Sequence, residues 1–153
     1  MRILDIVPPG AVLDDLRSDT KEGVLRELSE VLSGMVPSLP SETIASILLE
    51  RENLGSTGIG DGVAIPHGKA AGLERLVAAF GRSRKGVQFQ SLDGQPAHLF
   101  FALMAPEYSA GMHLKALARI SRLLKDERFR RSLLEAADAD ELRRILQEED
   151  GRG

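Results

Sequence analysis

The sequence predicts a single α/β domain, with a mixed parallel and antiparallel sheet of about five strands flanked by helices on both faces. Three observations lead there. Amphipathic segments with helical spacing alternate with short apolar runs of strand length. Neither an internal repeat nor a low-complexity linker divides the chain. With 153 residues, 42% of them hydrophobic, the chain is long enough to bury one core without disulfide or metal staples. Residues 1–153 are therefore expected to form one domain, with 148–153 as a disordered tail.

The first helix is expected after Asp19, which with Glu22 forms a capping pattern. It carries Val24, Leu25, Leu28, Val31 and Leu32 on one face and should stop at Gly34. A second should follow Pro40 with Ser41 as N-cap and Ile44, Ile47 and Leu48 as its buried stripe, ending near Asn53 with Gly55 as a left-handed terminator. Between Gly55 and Gly68 lie five of the 15 glycines, around the apolar stretch Val63 to Pro66, which suggests loop, short strand, loop. Leu76 to Phe80 and Ala97 to Met104 have the composition of strands buried on both faces, and Val87 to Gln90 with the turn Ser91 to Gly94 suggests a hairpin into the second. A long helix from about Ala110 would turn Leu114, Leu117, Ala118, Ser121 and Leu124 inward. A short helix spans Phe129 to Ala136, and a last one follows Asp138 with Leu142, Ile145 and Leu146 inside, Asp138 and Glu141 repeating the capping pattern.

Composition removes several functions. Twenty Lys and Arg against 23 Asp and Glu give a net charge of −3, without the excess of cations that draws proteins to nucleic acid. With no Cys there can be no disulfide, thiolate metal site or Cys nucleophile. The longest apolar run, Ala97 to Ala105, is broken by His98 and is about half of the ~20 residues a bilayer requires. No direct membrane insertion is expected, and a cytoplasmic location is.

Of the three histidines, His67 is the one set for chemistry. Pro66 before it stops the short strand, so the ring is expected at a strand end, and Gly68 after it removes bulk beside the imidazole. Upstream, Ser56, Thr57 and Gly58 could turn hydroxyls and amides toward one point as an anion cradle. An imidazole with the usual pKa near 6.5 is roughly three-quarters neutral at pH 7, so it can act as a nucleophile without a separate base. Arg51 and His113 are the candidates to offset the charge of an incoming anion, with Lys69 and Lys115 at the rim. His98 heads an apolar strand and has a structural setting. The competing glycine motifs fail. Gly62 to Lys69 has five residues between its glycines where a mononucleotide loop has four, and Ala70 stands where Ser or Thr would hold Mg²⁺. Gly58, Gly60 and Gly62 precede a strand instead of opening a helix, so the dinucleotide fingerprint fails too. No His-x₃-His or His-Glu-x-x-His pairing supports zinc.

The run from Arg51 to Lys69, Arg-Glu-Asn-Leu-Gly-Ser-Thr-Gly-Ile-Gly-Asp-Gly-Val-Ala-Ile-Pro-His-Gly-Lys, resembles the active-site signature of enzyme IIA domains of the phosphotransferase system, of the fructose/mannitol and nitrogen-regulatory type. Met104 to Glu107 and His113 to Ala118 are similar to a second segment of that family. The resemblance implies that His67 accepts a phosphoryl group from the phosphohistidine of HPr or its nitrogen-type paralogue, with no cofactor and no metal. It also implies that His113 and Arg51 flank the phosphoryl group and that Ser56, Thr57, Gly58 and Gly68 help to bind it. Asp61 departs from the Asn frequent in nitrogen-regulatory members, and its carboxylate is expected to point away. Ile59, Leu54 and Met112 are candidate docking residues. Regulatory target proteins are the expected partners in one reading; an enzyme IIB in sugar uptake is the alternative, and a non-transferring interaction module a third.

Overall fold

The computed structural model describes residues 2–151. Their helices are α1 (Ile3–Ile6), α2 (Lys21–Met35), α3 (Ser41–Asn53), α4 (Ala110–Leu124), α5 (Glu127–Glu135) and α6 (Ala139–Gly151), with a 3₁₀ turn at Pro9–Ala11. The strands are β1 (Val12–Leu13), β2 (Gly58–Gly60), β3 (Val63–Ala64), β4 (His67–Ala70), β5 (Val77–Val87) and β6 (Ala97–Pro106). They form one six-stranded sheet in the order β1-β5-β6-β3-β2, with β4 also on β6. The sheet is mixed: β5 runs antiparallel to β6, while β3 and β4 run parallel to it. Residues 77–83 are all buried, as are 97–105 apart from His98. Successive strand residues point to opposite faces, so both faces of the sheet are covered.

The turn-rich segment makes two short strands before His67, β2 and β3, and a third, β4, begins at it, where one was expected. Val63 and Ala64 align with Leu99 and Phe100, and His67 to Ala70 align with Leu103 to Pro106 along the same side of β6. Ile65 and Pro66 interrupt this run, with the Pro66 carbonyl accepting from the Leu103 amide at 2.9 Å. His67 therefore heads a strand rather than ending one. Gly68 is required by what lies over it: a Cβ there would come within 2.4 Å of Ile47 Cγ2 on α3. Ile47 is β-branched and stiff, so Gly68→Ala is expected to push α3 off β4 and to cost about 1–3 kcal/mol in denaturant unfolding. A cost below ~0.5 kcal/mol would show that the contact yields freely.

Several local expectations shift. The cap of α2 is Thr20, whose hydroxyl accepts from Gly23 N at 3.1 Å, not Asp19, and the helix runs on to Met35. Ser41 is the first helical residue of α3 and Pro40 its N-cap, while Gly55 has φ 156° rather than a left-handed value. Val87 continues β5 instead of starting a separate strand. The buried face of α4 is His113, Ala116, Ile120 and Leu124, which leaves Leu114 66% exposed and Ala118 exposed.

The expected tail is helical as far as Gly151, and Arg152 and Gly153 lie outside the described residues. Asp150, 8% exposed, holds the end of α6 in place: its carboxylate accepts from the amides of Ile3 at 2.7 Å and Leu4 at 3.0 Å and pairs with Arg119 at 3.4 Å. No helix of the described residues is long and apolar enough to cross a membrane.

Candidate active site

His67 lines an open cleft of about 800 Å³ between the end of α3, the start of β4 and the first turns of α4. The walls are largely apolar, from Ile47, Leu54, Leu114 and Leu117, with Arg51, Lys69 and Glu50 supplying charge. Gly68 forms part of the lining. His113 faces His67 with ring centroids 5.4 Å apart and planes at 75°.

The tautomer of His67 follows from one contact. Its Nδ1 lies 2.7 Å from the Ile65 carbonyl oxygen. A carbonyl can only accept, so Nδ1 carries the hydrogen and Nε2 keeps its lone pair. Burial is the main cause that lowers the pKa of His67, opposed by the Ile65 bond; Arg51 lowers it further and Glu52 raises it. Both the tautomer and the shift favour a neutral ring with a nucleophilic Nε2.

His113 is 5% exposed, and its Nε2 is buried with no hydrogen-bond partner. Such an atom is costly, and a native structure rarely leaves one without a use. Burial above all, then His67 and Lys69, lowers its pKa from 6.5 to about 4. The unfolded chain therefore binds more protons than the folded one between those values, so stability is whole above pH 6.5 and falls as the pH drops toward about 4. His113→Gln is expected to flatten that acid slope while the protein stays folded at pH 7.5. Denaturant midpoints across this range measure it, and an unchanged slope would place the acid sensitivity elsewhere.

The loop of Ser56, Thr57 and Gly58 does not reach the cleft. Ser56 Oγ donates to the Phe89 carbonyl at 2.7 Å and accepts from Gly58 N at 3.0 Å. Thr57 gives both its amide and its hydroxyl to the Glu52 carboxylate. The donors expected to cradle an anion are thus spent within the fold, because buried polar groups near them compete first. Arg51 does line the cleft, with Nη1 donating to the Gly55 carbonyl at 2.9 Å. Lys115 is exposed and outside the lining. Asp61, at φ 57°, sits in the turn between β2 and β3, its amide bonded to Asp93 at 3.0 Å and its side chain exposed and outside the cleft lining. Of the docking candidates, Leu54 is in the cleft wall, and Ile59 and Met112 are exposed outside it.

Sequence reasoning missed Glu52 and Lys21. Glu52 continues the Ile44 and Leu48 stripe by one more turn, and a carboxylate at a buried stripe position was the available signal. The start of α4 is at Ala110 as expected; what the sequence did not show is that Ser109 provides no side-chain cap there and that Ala110 forms part of the cleft wall. Among the described residues, no three His, Asp or Glu side chains gather as a metal-binding group.

Two facing imidazoles, His67 on β4 and His113 on α4, thus meet in a largely apolar cleft beside a mixed six-stranded sheet, and comparison with solved structures places this α/β domain in the phosphotransferase-system IIA fold. The crystal structure of the nitrogen regulatory protein IIA-Ntr from Neisseria meningitidis matches with a TM-score of 0.89 and 37% identity, over 94% of this chain and 98% of that one. The IIA mannitol structure from Escherichia coli shares the fold, with a TM-score of 0.77 and 23% identity over 92% and 98% of the two chains. In sequence, a nitrogen regulatory protein of Bradyrhizobium diazoefficiens is 41% identical over 95% of both chains. A fructose-specific EIIABC component of Bacillus subtilis is 40% identical over 98% of this chain and 24% of that longer protein. Residues 5–149 match the model of the phosphoenolpyruvate-dependent sugar phosphotransferase system EIIA 2 family. The chain belongs to that family.

Proposed function

We propose that the protein is a cytoplasmic phosphocarrier that accepts a phosphoryl group on His67 Nε2 from an HPr-type phosphohistidine and acts as a regulatory, nitrogen-type IIA. The observation that carries this reading is the Nδ1 contact to Ile65, which leaves Nε2 as the nucleophile in a cleft open enough to admit a partner's side chain. In the transfer, the Nε2–P bond forms as the donor's N–P bond breaks, and the bonding pair returns to the donor nitrogen. Nδ1 keeps its hydrogen on Ile65, so no proton has to move and no cofactor or metal is called upon.

The phosphoryl oxygens are then held by Arg51, Lys69, the amides at the start of α4 and the Nε2–H of neutral His113. Each charge-assisted hydrogen bond of this kind contributes about 1.5–3 kcal/mol. A cation ~4 Å away adds up to ~4 kcal/mol at an effective dielectric of 20. Exposed Leu54, Leu114 and Met112 give the donor an apolar rim to dock on.

Regulatory target proteins are the partners in this reading, which the 41% identity to a nitrogen regulatory protein over 95% of both chains supports. Onward transfer to an enzyme IIB is the second reading, favoured by the 40% identity to the fructose-specific protein. Incubation with phosphoenolpyruvate, enzyme I and HPr or its nitrogen paralogue, followed by mass-spectrometric mapping of acid-labile, base-stable phosphate, tests the first step. Label on His67 supports it, and label elsewhere or none overturns it. Addition of IIB domains then shows whether the phosphoryl group moves on.

A further inference from the structure

Outside the cleft lining, the Glu52 carboxylate is a buried polar group with every contact made to nearby side chains and backbone, in a residue that is 6% exposed. Oε1 accepts from the Thr57 amide at 2.9 Å and pairs with Lys21 Nζ at 2.8 Å, and Oε2 accepts from Thr57 Oγ1 at 2.5 Å. Lys21 is itself held by Gln90 Oε1 at 3.0 Å and lies 4.8 Å from the Phe89 ring centre. From Thr57 the chain of bonds continues toward the nucleophile. The Thr57 carbonyl accepts from the Ile65 amide at 3.0 Å, and the Ile65 carbonyl accepts from His67 Nδ1 at 2.7 Å. An unbroken series of hydrogen bonds thus links the first turn of α2 to the imidazole.

We infer that Lys21, Glu52 and Thr57 are positioning residues that fix the Ile65 peptide and so decide which nitrogen of His67 bears the hydrogen. The inference rests on the reading of His67 as the phosphoryl acceptor. A free imidazole favours hydrogen on Nε2, which would block the nitrogen that must attack. The Ile65 carbonyl reverses that preference only while it stays aimed at Nδ1, and Ile65 lies between short strands with no regular ladder of its own to hold it. Stability alone is a poor account of the arrangement, since a buried ion pair contributes little net free energy over an apolar replacement. The negative charge of Glu52 also raises the basicity of His67 against the effect of Arg51.

The test uses the full chain with ¹⁵N-labelled histidine, comparing wild type, Thr57→Val, Glu52→Gln and the conservative Thr57→Ser at neutral pH. Imidazole ¹⁵N shifts report the His67 tautomer, initial labelling rates report transfer, and thermal melts report folding. Wild type and Thr57→Ser should show the Nδ1–H form alone. Thr57→Val and Glu52→Gln should show a measurable Nε2–H fraction and a rate about five- to tenfold lower, as the loss of one or two net hydrogen bonds predicts. Thr57→Val keeps the Lys21–Glu52 pair and so remains informative if Glu52→Gln fails to fold. Folded variants with the wild-type tautomer and rate, even at a lower melting temperature, would overturn the inference and leave the network a structural tie. If the wild type takes up no phosphoryl group, the functional reading fails, while the tautomer measured in the same samples still decides the positioning role.

Discussion

His67→Ala is expected to abolish phosphoryl uptake, by roughly a million-fold or to background, as the loss of a covalent nucleophile does elsewhere. The expectation is this large because nothing nearby can replace the ring. His113 is the other imidazole in the cleft, yet its free nitrogen is buried, and its pKa near 4 marks an environment hostile to the charge it would acquire. The substitution should cost little stability. His67 is half-buried and contributes one hydrogen bond, to Ile65, whose loss is worth about 1 kcal/mol. A folded His67→Ala protein that still accumulated acid-labile phosphate would remove this residue from the centre of the mechanism.

Arg82→Met is expected to destabilise the fold by about 3–5 kcal/mol, the cost of leaving several buried carbonyls without their donor. Arg82 is 1% exposed. Its Nε donates to the Asp14 carbonyl at 2.8 Å, and its Nη1 donates to the carbonyls of Leu133 at 2.9 Å and Ala136 at 2.6 Å. Two of these acceptors lie at the C-terminal end of α5, where helical carbonyls have no partners of their own. Met would fill much of the volume and leave three carbonyls stranded, each costing about 1–3 kcal/mol if it stays dry. Urea unfolding measures the loss, and a change under ~1 kcal/mol would show that water replaces the guanidinium there.

The contrast between His67 and Arg82 shows how far the chain can be read before it is folded. His67 could be singled out because its cues are adjacent: Pro66 before it and Gly68 after it restrict the backbone whatever lies around them. Arg82 carries no such cue, since its partners are about fifty or more residues away. The stripe of α2 and the continuous apolar runs of β5 and β6 were legible for the same reason as His67, being periodic patterns within a single element. The phase of α4 was not, because Leu114 looks like core by its type and is turned outward only by the open cleft beside it.

The sequence by itself determined the order of most elements, the burial of Val77 to Phe80 and of most of β6, and the setting of His67 between Pro66 and Gly68, all properties that neighbouring residues impose on one another. Tertiary structure alone decided which polar groups meet. It assigned Thr57 to Glu52 instead of to an anion, brought Lys21 to the same carboxylate, drew Asp150 to the amides of Ile3 and Leu4, and turned Nδ1 of His67 toward Ile65. The physical reason is competition. A donor or acceptor has many possible partners in an extended chain, and only packing, by excluding water from all but a few of them, selects the one it keeps.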